Sequence, residues 1–404
     1  MYHLKKILHQ NKQIFFKEII VEYNLAGNIY EICQQYSNNI FLVADKNTEK
    51  LLNKSVLSKI PNFIIPSNSI ASLDIVELIQ NKTKNKELIV AFGSGTVNDI
   101  CKYASYLEGK DYILFPTAAS MNGYTSTNAS ILANGQKKSF NTHLAKAIYI
   151  DINIFINSPL RLTLSGFADF ICRSTTQADW LLSHLLFGTE YNSLPFTFSH
   201  DIEKILLEEY MGLAKKSTET ILLLMEALLI SGIGMVIVGG SHSASQGEHM
   251  IAHAMEMVTR DYSSLHGEKV AVATITMANL QEKILSIQNP IVKPSPVSME
   301  HITECFGNLI SSSNKFAEIL EQKQSMQQSI DKIIHEKWED ISHTVKKILL
   351  PAQSLQKIFA ELSIPHLPEH LGWNNEQYYK IVNLAFATRN RFTFLDLANC
   401  MKIM

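Results

Sequence analysis

Between residues 38 and 158, short apolar runs alternate with stretches of helical spacing. Ile40–Ala44 (IFLVA), Phe63–Ile65 (FII), Glu87–Phe92 (ELIVAF) and Tyr112–Phe115 (YILF) read as strands. Residues 48–59, 71–82 and 96–107 set their apolar positions three and four apart, as one face of a helix does. Strands alternating with helices pack as β-α-β units around a parallel sheet, so this part is expected to be α/β. From Pro159 onward the helical spacing continues, no run reads as a strand, and prolines gather at Pro290, Pro294 and Pro296, where a loop is expected. The pattern therefore predicts an α/β N-terminal domain over 1–158 and an all-α C-terminal domain over 159–404. A chain of 404 residues is also too long for one ordinary core.

The most apolar segment, Ile221–Val238 (ILLLMEALLISGIGMVIV), approaches the length that spans a bilayer. Glu226 and two glycines interrupt it, and a buried helix within a helical domain explains it better. The first residues are polar and broken by charge, unlike a signal peptide. Five scattered cysteines without CxxC spacing fit reduced thiols in the cytoplasm and give no cysteine-built zinc site. A formal net charge of −2, with no run of Lys or Arg, makes nucleic acid an unsuitable partner.

Three stretches carry candidate chemistry. Ala91–Lys102 (AFGSGTVNDICK) follows a strand and opens a helix. Glycine there removes the Cβ that would hold a phosphate away, and free N–H groups at a helix start attract an anion, so Gly93, Ser94, Gly95 and Thr96 could seat a pyrophosphate. A tight strand-to-helix turn is the plainer alternative. Asp45, at the end of the strand Ile40–Ala44, stands where an acid accepts a hydrogen bond from an adenosine ribose and repels a 2′-phosphate, which favours NAD over NADP. Phe115–Ser130 (FPTAASMNGYTSTNAS) is dense in hydroxyls and small residues after a buried strand, as a ligand-facing crevice would be.

The third stretch is Ser241–Glu256 (SHSASQGEHMIAHAME), with Leu265–Lys269 (LHGEK) shortly after. His249 and His253 are four apart on an expected helix, hence on one face, and His266 follows. Imidazoles with a carboxylate make a three-ligand set that leaves a divalent metal open to substrate. With fourteen histidines in the chain, such a pair also arises by chance. The pair alone leaves open which imidazoles would be ligands.

Taken in order, FGSGTVNDICK at 92–102, FPTAASMNGYTS at 115–126, GFAD at 166–169, EHMIAH at 248–253 and LHGEK at 265–269 resemble the glycerol-1-phosphate dehydrogenases. These belong to the superfamily of iron-containing alcohol dehydrogenases and dehydroquinate synthase. VADKNT at 43–48, ADWLLSH at 178–184 and RFTFLDLA at 391–398 point to the bacterial branch, and the similarity covers almost the whole chain.

The resemblance implies a Rossmann-like nucleotide-binding domain joined to a helical domain, the dehydroquinate synthase-like fold. It implies NAD or NADP and one divalent metal, zinc, nickel or iron, held by Asp169, His249 and His266. His253 would contact substrate. Gly93, Ser94, Gly95, Thr96, Val97, Thr117, Ala118, Ala119, Ser120 and Ser126 would hold the nucleotide, with Asp45 at the ribose. The implied reaction interconverts dihydroxyacetone phosphate and sn-glycerol 1-phosphate, or a related small polyol and ketone; the cysteine usage and the interrupted apolar segment add the expectation of a cytoplasmic protein without a membrane span, and a homodimer is the default assembly. A sugar-phosphate cyclase and a non-catalytic nucleotide- and metal-binding relative are the alternatives.

Three positions depart from the family pattern, the mildest being Phe167-Ala168-Asp169 where a glycine before the aspartate is commoner. Asn122 stands where an aspartate assigned to substrate binding is usual, and an amide cannot ionise. His242 replaces an arginine, which would offer a permanent bidentate fork to a phosphate.

Overall fold

The protein is described by a computed structural model covering residues 1–11, 14, 16–133, 135–307 and 315–403. Among these residues, eight strands form in the first part of the chain. They are β1 (Glu18–Glu22), β2 (Ile40–Asp45), β3 (Asn62–Ile65), β4 (Leu88–Gly93), β5 (Asp111–Pro116), β6 (Asn128–Ala133), β7 (Gln136–Asn141) and β8 (Ala147–Asp151). Six of them make one parallel sheet in the order β1-β8-β5-β4-β2-β3, and β6 pairs with β7 as an antiparallel hairpin.

The contiguous order β3-β2-β4-β5-β8 is the doubly wound 2-1-3-4-5 arrangement. Its topological switch point, where ligands bind at strand carboxyl ends, falls between β2 and β4. Those two ends carry Asp45 and Gly93. The central strands are buried on both faces, as a parallel sheet requires: Leu42, Val90 and Ile113 on one, Val43, Ala91 and Leu114 on the other.

The chain packs as two compact units, Met1–Phe170 with Thr197–Gly240, and Ile171–Phe196 with Ser241–Met404. The change of secondary-structure type does come near Pro159, but the helices Leu160–Ile171 and Thr218–Ile237 group with the sheet. Two glycines explain this. A Cβ on Gly166 would lie 1.9 Å from Ala119 O, and one on Gly232 would lie 2.2 Å from Thr125 Oγ1. Glycine at both positions lets these helices approach the loop after β5 at backbone distance. Thr218–Ile237 is apolar enough by composition to cross a membrane, yet 72% of its most apolar window is buried in the protein.

The second unit is helical throughout its described residues. Its core gathers Leu182, Met250, Ile251, Val272, Met277, Ile334, Trp338, Tyr378 and Leu395 from several helices. Asp179, fully buried, organises two of them: Oδ2 accepts from Gly247 N–H (2.9 Å) and Oδ1 from Phe394 N–H (2.9 Å). One carboxylate thereby caps the starts of the helices Gly247–Thr259 and Phe394–Met401. Burial, and then the charge of Glu248, push its carboxyl well above the usual range.

Candidate functional sites of the two units

In the first unit the helix Gly95–Leu107 begins directly after β4. Its first main-chain bond runs from Asn98 N–H to Ser94 O (3.0 Å), and Ser94 makes no side-chain cap. The N–H groups of Gly95, Thr96 and Val97 therefore have no intrahelical acceptor, the condition for cradling a phosphate. A Cβ on Gly93 would meet Val97 Cγ2 at 2.6 Å, and one on Gly95 would meet Met121 Sδ at 2.8 Å, so both glycines keep the turn tight.

The loop after β5 is held from several sides. Thr117 N–H donates to Gly93 O (3.2 Å), Tyr124 Oη to Ala118 O (2.8 Å) and Thr125 Oγ1 to Leu229 O (2.6 Å). Lys102, fully buried, donates through Nζ to Gly123 O (2.6 Å), Ser126 O (3.0 Å) and Asn128 O (3.1 Å). Burial lowers its ammonium to about 8, against the opposing pull of Asp99. Thr117, Ala118, Ala119 and Ser126 are buried, while Ser120 and Asn122 are half-exposed.

Asp45 spends Oδ1 on its own turn, accepting from Asn47 N–H and Thr48 N–H (2.8 Å each). Thr48 Oγ1 donates to Phe92 O (3.2 Å), tying the carboxyl end of β2 to that of β4. Asp169, on the helix Leu160–Ile171, is 2% exposed, and its Oδ2 accepts from Asn122 N–H (3.1 Å). The position that departs from the family pattern thus serves Asp169 through its main chain, which an amide side chain leaves intact.

In the second unit the helices Gly247–Thr259 and His266–Leu285 bring three imidazoles together. Ring centroids are 5.2 Å apart for His249 and His266, 5.7 Å for His253 and His266, and 6.1 Å for His249 and His253. A ring nitrogen of His249 and one of His266 lie within 4.8 Å of each other, close enough to share an ion. His249 Nδ1 lies 2.9 Å from Glu248 Oε1. A carboxylate only accepts, so Nδ1 carries the proton and Nε2 is left as the ligand atom.

Glu248 is fixed in turn by Thr176 Oγ1 (2.9 Å), Thr175 Oγ1 (3.2 Å) and Gln246 N–H (2.7 Å). Burial alone would raise its carboxyl. The hydrogen bond and charge of His249, with the main-chain donors, outweigh that and hold it below its usual value. His253 Nδ1 lies 3.4 Å from Glu256 Oε2, and Glu256 Oε1 accepts from the buried Lys269 Nζ (2.8 Å). Cys172, Glu248 and His249 also offer donor atoms within 4.8 Å of one another, but Glu248 is already committed to its four hydrogen bonds. The donor set fits a borderline divalent metal on His249 and His266, each presenting one neutral imidazole nitrogen.

Neither Asp179 nor Glu248 is marked in the sequence for its role here. Glu248 is visible only as the neighbour of His249, and that position does not disclose its partners Thr175 and Thr176.

The profile of the iron-containing alcohol dehydrogenases matches residues 22–159. The glycerol-1-phosphate dehydrogenase (NAD(P)+) of Sulfurisphaera tokodaii is 32% identical over 268 residues, 65% of this chain and 76% of that one. The enzyme of the same name from Geobacillus thermodenitrificans is 27% identical over 415 aligned positions, 97% of this chain and 95% of that one. Among solved structures, glycerol dehydrogenase from Schizosaccharomyces pombe superposes with a TM-score of 0.52 at 17% identity, covering 89% of this chain and 92% of that one. Sulfoacetaldehyde reductase from Bifidobacterium kashiwanohense gives a TM-score of 0.59 at 11% identity, covering 93% and 91%. At these identities the structures show the fold.

The fold is that of the iron-containing alcohol dehydrogenases, with a nucleotide-type parallel sheet in one unit and an imidazole cluster in the other. Within that class, the chain belongs to the glycerol-1-phosphate dehydrogenase family.

Proposed function

We propose that the protein is a metal-dependent NAD(P)-linked dehydrogenase that interconverts dihydroxyacetone phosphate and sn-glycerol 1-phosphate. The observation that carries this reading is the gathering of His249, His253 and His266, with the Nδ1 of His249 anchored on Glu248.

On the family resemblance, His249 and His266 would hold the ion together with Asp169. Bound there, a divalent ion would supply Lewis acidity toward a carbonyl or alcohol oxygen, and a nicotinamide would supply the hydride chemistry. Glu248 keeps His249 in the tautomer that presents Nε2. His253, oriented by Glu256, meets the substrate, and Asn122 contributes its main-chain N–H to Asp169. Gly93–Val97, Thr117–Ser120 and Ser126 would hold the nucleotide, and Asp45, whose Oδ1 accepts from its own turn, would meet the ribose, which favours NAD over NADP. Zinc, nickel and iron suit the donor set, and a cytoplasmic homodimer is the expected working form.

The test is the oxidation of NADH and NADPH with dihydroxyacetone phosphate by protein stripped and reloaded with Zn, Ni, Fe or Mn. Turnover with at least one ion, faster with NADH, is expected. Absence of turnover with every ion and both nucleotides would reject the reading.

A further inference from the structure

Two guanidinium groups, Arg389 and Arg391, stand against the loop that opens the histidine helix. Arg391 donates from Nη2 to Ser241 Oγ (2.9 Å), and from Nη1 to Ser241 O (3.3 Å) and to Ser245 O. It fastens both ends of that loop. Arg389 makes a single side-chain hydrogen bond, from Nη1 to Ser245 Oγ (2.7 Å). Ser245 stands two residues before the first residue of the helix Gly247–Thr259, and His249 lies in that helix's first turn.

Both arginines are half-buried, and neither pairs with a carboxylate among the described residues. The acid whose charge reaches them is Glu248, and its oxygens are already taken by Thr175, Thr176, Gln246 and His249. Placing two like charges side by side away from water is unfavourable unless an anion joins them. The side chains respond accordingly: burial first, and then repulsion from Arg389, lower Arg391 to about 9.

His242, on the same loop, packs 5.7 Å from Trp180 and is lowered to about 4 by burial and then by the two arginines. It is a neutral imidazole near pH 7 and adds no charge. The loop therefore presents a permanent guanidinium with unused N–H donors, a second one that braces it, and the hydroxyls of Ser241 and Ser245.

We infer that Arg389 and Arg391 form the seat for the phosphate group of a phosphate-monoester substrate, Arg389 contacting it directly and Arg391 holding the loop in place. This rests on the reading of the substrate as a phosphorylated hydroxyketone. A planar fork matches two phosphate oxygens, and a dianion removes the repulsion between the pair. The anion could instead belong to the nucleotide, so the test separates the two sources.

The variants are Arg389→Gln and Arg389→Lys in the full-length, metal-loaded protein. Binding of inorganic phosphate is followed by calorimetry, and KM is measured for dihydroxyacetone phosphate and for the nucleotide. In Arg389→Gln the phosphate affinity is expected to fall roughly thirtyfold, and KM for dihydroxyacetone phosphate to rise by about the same factor. The preference for that substrate over unphosphorylated dihydroxyacetone should fall in parallel, with nucleotide KM held within about twofold. Arg389→Lys, which keeps the charge without the fork, should fall between and controls for folding.

Should wild-type protein bind phosphate through Arg389 yet fail to turn over dihydroxyacetone phosphate, the substrate assignment fails and the phosphate seat stands. Should wild-type protein turn over that substrate while Arg389→Gln keeps its KM and phosphate affinity, the seat is refuted and the function stands. A rise confined to nucleotide KM would also refute it, by assigning the arginines to the cofactor.

Discussion

The two units prepare for their ligands by different means. In the sheet-containing unit the candidate surface is mostly main chain. The turn at Gly93 and Gly95 exposes N–H groups, and the loop after β5 is pinned by Lys102 and by helices that approach through Gly166 and Gly232. In the helical unit the surface is made of side chains. Imidazoles and guanidiniums are aimed by buried carboxylates and hydroxyls, with Glu248 behind His249, Glu256 beside His253 and Ser245 against Arg389. The first is sensitive to anything that adds bulk, whereas the second is sensitive to the chemical identity of single groups.

That contrast can be broken by substitution. The largest effect is expected on the helical side, where His249→Ala removes a proposed metal ligand and should lower turnover by roughly three orders of magnitude or more in a steady-state assay. Next comes Gly166→Ala in the other unit, whose added Cβ meets the Ala119 carbonyl. Chemical denaturation should report a loss of about 3 kcal/mol, with weakened nucleotide binding as the loop shifts. A stability loss under about 1 kcal/mol would mean that the loop is not clamped as described. Glu248→Gln keeps the shape and removes the charge behind His249. Metal affinity should drop between about tenfold and a hundredfold, and a change below threefold would show that Glu248 does not tune the ligand.

The smallest effect is expected for Asp45→Asn, which can still accept from the turn N–H groups of Asn47 and Thr48 but carries no charge. Stability should hold within about 0.5 kcal/mol while the preference for NAD over NADP narrows by up to about tenfold. An unchanged preference would remove Asp45 from the nucleotide site.

The same contrast explains how much of the molecule is legible in its sequence. The turn from β4 into the next helix is legible because main-chain work needs glycine, and glycine between a strand and a helix leaves a visible mark at Gly93 and Gly95. The central strands β2, β4 and β5 are legible as continuous apolar runs, since a parallel sheet buries both faces. Strand β1 is not, because Glu18 and Glu22 break its pattern at both ends, and it is defined by pairing with β8 more than a hundred residues later. The hairpin of β6 and β7 escapes notice as well, since β7 (QKKSFN) is almost wholly polar and β6 (NASILA) has only the short apolar run Ile131–Ala133 beside a polar loop.

The expected boundary at Pro159 followed the change in secondary structure, whereas packing divides the chain after Phe170 and returns 197–240 to the sheet. Local spacing reports element type, not which core an element joins. On the helical side His249, His253 and His266 are legible by spacing and residue type. Their supports are not: Asp179 reaches Phe394 across 215 residues, and Arg389 reaches Ser245 across 144. Those hydrogen bonds exist only once helices distant in sequence have packed.

The proposal turns on a division of labour in which Asp169, His249 and His266 would hold the metal and His253 would not. The direct measurement is metal content per chain in purified wild-type protein and in Asp169→Asn, His249→Ala, His266→Ala and His253→Ala, each loaded and then dialysed identically. The first three variants should emerge essentially empty, with His253→Ala loaded like the wild type. Equal loss of metal from His253→Ala, or full retention in Asp169→Asn, would contradict the assignment.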